Sequence, residues 1–145
     1  MSVAAVNPAA AVAHNFPIRV YYEDTDAGGI VYYANYLKFA ERARTEMLRD
    51  AGFHHTAMMQ GDGLMLAVRR VNAEYLRPAK LDDALDVATS VMGLGAATIE
   101  LDQSIRREGQ ELCRVVVTIA CVGRDGRPAR LPAPLRAALS AHLPS

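Results

Sequence analysis

The sequence predicts an α+β fold, a five-stranded, mainly antiparallel sheet wrapped around one long central helix. Three observations lead there. Apolar residues at Tyr33, Tyr36, Leu37, Ala40, Ala43, Met47, Leu48 and Ala51 recur at helical spacing, with Lys38, Glu41, Arg42, Glu46 and Arg49 off the stripe. One strand-like run precedes this segment. Beyond Gly63 the chain breaks into four more apolar runs separated by turn formers. One helix against such a sheet is an α+β arrangement.

Phe16 to Glu23 reads as the first strand, with Ile18, Val20 and Tyr22 on one face and Arg19, Tyr21 and Glu23 on the other. Asp24-Thr25-Asp26-Ala27-Gly28-Gly29 ends it, because so many turn formers suit neither strand nor helix. The helix follows; at 1.5 Å per residue it would be about 28 Å long. Gly52 stops it as a C-cap. Phe53 to Gly63 reads as a loop whose Met58-Met59 pair fills a gap in the core.

Leu64 to Leu76 is the second strand, ended by Arg77-Pro78. Strict alternation puts Asn72 and Glu74 on the face of Leu66 and Val68. Leu85 to Met92 follows with Leu85, Val87, Thr89 and Val91 inward, and Gly93-Leu94-Gly95 turns the chain. In Thr98 to Arg107, Ile99, Leu101 and Ile105 oppose Glu100, Asp102, Ser104 and Arg106. Glu111 to Val122 is apolar on both faces, which places it centrally in the sheet. Pro132 to Leu143 has weak helical character. Met1 to Asn15, rich in Ala and without Lys or Arg, reads as a flexible tail lacking the basic segment of a secretory signal. Residues 16–145 read as a single domain.

Composition narrows the function classes. Lys+Arg and Asp+Glu balance at 16 each, which gives no reason to expect nucleic acid or an anionic membrane as partner. No apolar run approaches the roughly 20 residues of a membrane span. Cys113 and Cys121 fall in one expected strand, about 26 Å apart at strand rise, too far for a disulfide. Reduced thiols favour a cytoplasmic location. His54-His55 is not a metal site, since adjacent residues diverge and no ligand set with zinc spacing accompanies them. A single helix covers one sheet face only, so the open face and edges imply a homodimer.

The chemistry concentrates where the carboxylate loop meets the helix. A helix start presents unpaired N–H groups and the positive end of its dipole. Opposite it stands Asp26, read either as a turn aspartate bonding nearby N–H groups or as the base or nucleophile of an acyl-transfer site. Gly28, Gly29 and Ile30 shape the loop.

Tyr21-Tyr22-Glu23-Asp24-Thr25-Asp26-Ala27-Gly28-Gly29-Ile30-Val31-Tyr32-Tyr33-Ala34-Asn35-Tyr36 resembles the signature of the 4-hydroxybenzoyl-CoA thioesterase branch of the hotdog-fold superfamily. Glu41-Arg42-Ala43-Arg44-Thr45-Glu46-Met47-Leu48-Arg49, with the block from Val68 to Asp83, is similar to its Tol–Pal-associated (YbgC-like) group. The resemblance spans roughly Phe16 to Pro132. It implies the hotdog fold, a homodimer or a tetramer of two dimers, no cofactor, and hydrolysis of an acyl-CoA.

By position it also implies Asp26 as the catalytic carboxylate and the Tyr33 N–H as donor to the thioester oxygen. Some related sequences carry His at this position, so Tyr33 removes a possible acid/base group. Coenzyme A carries phosphates that suit Arg; Arg69, Arg70 and Arg77 are the expected contacts, with Lys80, Arg106 and Arg107 as further basic residues. Two rival readings remain: a module binding acyl carrier protein and serving envelope maintenance, and an acyl-thioester hydratase or dehydratase. Such hydratases commonly need a His beside the carboxylate, and none lies between Asn15 and Phe53.

Overall fold

A computed structural model describes residues 13–143, so most of the expected tail lies outside it. The elements run β1 (His14–Arg19), α1 (Asn35–Asp50), α2 (His55–Gln60), β2 (Met65–Tyr75), β3 (Ala84–Leu94), β4 (Thr98–Arg107), β5 (Gln110–Val122) and α3 (Ala133–Ser140). The five strands form one sheet in the order β1-β3-β4-β5-β2, with every pairing antiparallel. β5 is thus internal, but β4 is the middle strand.

α1, the longest helix at 16 residues, lies on the inner sheet face. Its buried side is Tyr36, Phe39, Ala40, Ala43, Met47 and Leu48. This departs from the expected stripe: Phe39 is fully buried, whereas Tyr33 and Leu37 are exposed. Gly52, at φ 95°, ends the helix. There Gly52 N–H donates to Arg49 O and Phe53 N–H to Leu48 O, the paired bonds of a Schellman motif.

The first strand is displaced from its expected bounds. It opens at His14, which pairs with Thr89, and closes at Arg19. A 3-10 turn, Tyr22–Asp24, replaces its expected end and leaves Tyr22 82% exposed. The reason is local: the Asp24 carboxylate accepts the Tyr21 N–H at 2.8 Å, offering the backbone an alternative to the ladder. The expected loop after Gly52 contains α2, six residues too short to show a period. Met58 on it packs against the core, as expected.

A bulge between Val68 and Arg70 changes the faces of β2. Leu66 and Val68 pair with Cys121 and Ile119 on the inner face; beyond the bulge Val71, Ala73 and Tyr75 take that face. Asn72 and Glu74 lie opposite Val116 and Arg114, on the outer face, contrary to simple alternation.

Two apolar clusters fill the space between sheet and helices. Between them stands Gln103, fully buried and flanked along β4 by Leu101 of one cluster and Ile105 of the other. Its Nε2 donates to Ala40 O at 2.8 Å and Thr89 Oγ1 at 3.0 Å, and its Oε1 accepts from Arg44 at 3.3 Å. A polar side chain survives there because its bonds are made. Alternation along β4 puts Gln103 on the face of Leu101 and Ile105 but says nothing of the partners that satisfy it. Ser104 is also buried, because Arg106 Nε donates to its hydroxyl and Glu111 accepts from it. Cys113 and Cys121 are free buried thiols, and burial pushes Cys113 up to about 12. Among the described residues no helix is long and apolar enough to cross a membrane.

Candidate active site

The carboxylate loop folds as a small hairpin strapped to the chain after β2. Thr25 bridges Val31, and Asp26 N–H donates to Ile30 O at 2.9 Å. Ile30 bridges Lys80, and Val31 N–H donates to Ala79 O at 2.9 Å. The Ala79 N–H in turn donates to the buried Tyr36 hydroxyl at 2.9 Å. Burial pushes the Tyr36 phenol above its usual range, so it stays protonated. The strap is held from below by Asp83, whose Oδ2 accepts from Lys80 N–H and from Arg107.

Asp24 is a building residue of this loop. It is buried, and its carbonyl accepts from Tyr32 N–H and from the Asn35 amide. Asp26 is different. Its side chain is exposed, and Oδ1 accepts the Gly28 N–H at 2.8 Å. The turn bond foreseen for this aspartate therefore exists, but it uses one oxygen only. Among the described residues Oδ2 has no hydrogen-bond partner. Gly28 eases the close approach, since a Cβ there would crowd Asp26 Oδ1 at 3.2 Å. Gly29 supplies a left-handed turn at φ 81°.

α1 begins two residues beyond Tyr33. Asn35 and Tyr36 N–H groups donate to Tyr32 O and Tyr33 O, whereas among the described residues the Tyr33 N–H meets no acceptor. It is a free donor at the positive end of α1. The Tyr33 side chain is 60% exposed and sits edge-on to Tyr75, centroids 5.9 Å apart. Tyr75 also meets Tyr36, at 5.6 Å. These rings join the start of α1 to the inner face of β2.

The basic residues are not gathered in one place. Arg77 is exposed, with NH1 donating to Glu111 O at 3.4 Å, and lies just before the strap. Arg69 sits at the bulge, and Arg70 pairs opposite Thr118, five residues or about 17 Å along the strand from Tyr75. Arg107 is bound to Asp83, and Arg106 to Ser104. Lys80, opposite Ile30, is nearer the loop than Arg69 or Arg70. Further along α1, Glu46 pairs with Arg49, while Glu41 and Arg44 line a cleft of about 120 Å³ against β2. That cleft left no sequence signal, because its walls come from distant segments.

Residues 20–139 match the thioesterase-like superfamily. The chain is 43% identical over 125 residues to the acyl-CoA thioesterase YbgC of Haemophilus influenzae, covering 86% of this chain and 92% of the relative. It is 43% identical over 108 residues to the acyl-CoA thioester hydrolase YbgC of Escherichia coli, covering 74% and 80%. A crystal structure of a probable thioesterase from Bartonella henselae superposes with TM-score 0.80 at 39% identity, over 83% of this chain and 99% of that one. With the hotdog architecture, the carboxylate loop and the helix-start donor already in place, these likenesses make the chain a member of the thioesterase-like superfamily, in its YbgC group.

Proposed function

We propose that the protein hydrolyses acyl-CoA thioesters to a carboxylic acid and free coenzyme A. The observation that carries this reading is that, on one strapped hairpin, the Tyr33 N–H and one Asp26 carboxylate oxygen each lack a hydrogen-bond partner among the described residues. The Tyr33 N–H, aided by the dipole of α1, polarises the thioester carbonyl. Asp26 either activates water or attacks directly; both use the oxygen not bound to Gly28. Gly28, Gly29 and Ile30 hold the loop close enough for substrate to approach. The exposed Arg77 and Lys80 beside the strap are the basic side chains best placed for coenzyme A phosphates, ahead of Arg69 and Arg70. An acyl carrier protein is the second form of substrate to offer.

The working unit in this reading is a homodimer, alone or paired into a tetramer. β2 is an edge strand of 11 residues, and its inner face exposes Val68, Val71 and Tyr75. A second copy would satisfy that edge and cover those side chains. The proposed location is the cytoplasm, in keeping with reduced cysteines and a coenzyme A substrate.

The decisive experiment follows thiol release from a panel of acyl-CoAs with wild type and Asp26→Asn. The expected loss is about 10²- to 10⁴-fold. Wild-type turnover in the variant would overturn the mechanism.

A further inference from the structure

The two halves of the site stand on one short stretch of chain. Asp26 lies on the outgoing strand of the hairpin, and Tyr33 lies two residues past Val31 on its return strand. The distance between carboxylate and N–H therefore depends on how the hairpin is held against α1. Asp26 N–H donates to Ile30 O at 2.9 Å, so the backbone that carries the carboxylate hangs from the return strand. That strand is fixed in turn by the strap, through the Ile30–Lys80 bridge and the bond from Val31 N–H to Ala79 O.

Tyr36, the second residue of α1, meets both halves. Its backbone N–H donates to Tyr33 O at 3.3 Å, and its hydroxyl accepts the Ala79 N–H at 2.9 Å. Ala79 is fully buried, and among the described residues this phenol is the one acceptor its N–H has. The ring is buried too, edge-on to Phe39 at 6.1 Å and to Tyr75 at 5.6 Å, so the hydroxyl has a fixed place. Burial keeps the phenol neutral, which makes this anchor constant across the neutral range. A leucine or phenylalanine would fill the same volume but leave the Ala79 N–H buried without an acceptor. The hydroxyl, not the ring, is what ties the strap to the helix start.

Resting on the thioesterase reading above, we propose that Tyr36 is a positioning residue for the hydrolysis: its hydroxyl, acting through Ala79 and Val31, sets the Asp26 carboxylate at its working distance from the Tyr33 N–H. Tyr36 touches neither the substrate nor the reacting atoms. Without the hydroxyl the strap shifts relative to α1, and the hairpin with its carboxylate shifts too. The loss falls on the transition state, where that distance matters, and spares the binding of acyl-CoA.

The test compares wild type, Tyr36→Phe, Asp26→Asn and the double variant in thiol release from one acyl-CoA that wild type turns over. Phenylalanine keeps the ring contacts and removes the acceptor alone. The expected result is a fall of about ten-fold or more in kcat for Tyr36→Phe, with KM nearly unchanged. In the Asp26→Asn background the same change should cost almost nothing further, because the hydroxyl acts through that carboxylate. The same loss factor in both backgrounds is what a ring that only supports the fold would give, and it would overturn the proposal. So would a wild-type kcat in Tyr36→Phe, or a loss confined to KM. Amide hydrogen exchange covers the case of a less stable variant. The Val31 and Ala79 N–H groups should exchange faster in Tyr36→Phe, while the amides of β4 keep their wild-type protection. Faster exchange throughout the chain would mean a general loss of stability and overturn the assignment. No turnover of any acyl-CoA by wild type would overturn the thioesterase reading itself, a distinguishable result.

Discussion

Asp26 Oδ1 accepts the Gly28 N–H at 2.8 Å, and a Cβ on Gly28 would stand 3.2 Å from that same oxygen. The carboxylate is therefore oriented by a bond that a side chain at position 28 would crowd by a few tenths of an ångström. Gly28→Ala should push the carboxylate aside while leaving the distant core untouched. A misplacement of that kind costs about ten- to hundred-fold in turnover. Steady-state kinetics should show the loss in kcat, with the melting temperature nearly unchanged.

Gln103 joins α1 to the middle of the sheet through Ala40 O and Thr89 Oγ1. Gln103→Leu keeps the volume but strips those bonds and leaves Arg44 and Thr89 without their partner. The expected destabilisation is about 2–3 kcal/mol, the cost of unpaired buried groups. Urea unfolding should show a lower midpoint at an unchanged slope.

Asp83 anchors the strap beneath the carboxylate loop. Burial works against its ionisation, but the Lys80 N–H bond and the Arg107 guanidinium outweigh it and hold the carboxyl below its usual value. A carboxyl lowered on folding stabilises above its unfolded pKa, and the contribution disappears as pH falls through the lower folded value. Wild type should therefore exceed Asp83→Asn in stability at neutral pH. The difference should fade only in acid, below the ordinary carboxylate range. Chemical denaturation of both proteins across that range checks it.

The β2 edge carries the dimer proposal. Val71 is 42% exposed on the inner face, so its replacement by Lys should leave the monomer's own core intact. Sedimentation should find wild type at about twice 15.7 kDa or a multiple of that, and Val71→Lys shifted toward monomer. An unshifted mass would place the interface elsewhere.

The sequence by itself determined the elements whose signals are local. The 3.6-residue stripe located α1, Gly52 its end, and the turn formers separated β2 to β5 nearly at their observed bounds. It singled out Asp26 through the family signature that the loop resembles, since a carboxylate beside two glycines by itself suits a turn aspartate as well. Tertiary structure decided what depends on pairing between distant segments. The bulge at Val68 and Arg70 sent Asn72 and Glu74 to the outer face, a choice made by the register with β5. Packing against the sheet centred α1 on Phe39 rather than Tyr33 and Leu37, leaving Tyr33 exposed at the helix start. Gln103 could be buried only because Ala40, Thr89 and Arg44 meet it there. Periodicity reports which residues share a face; it holds no information on what will stand opposite.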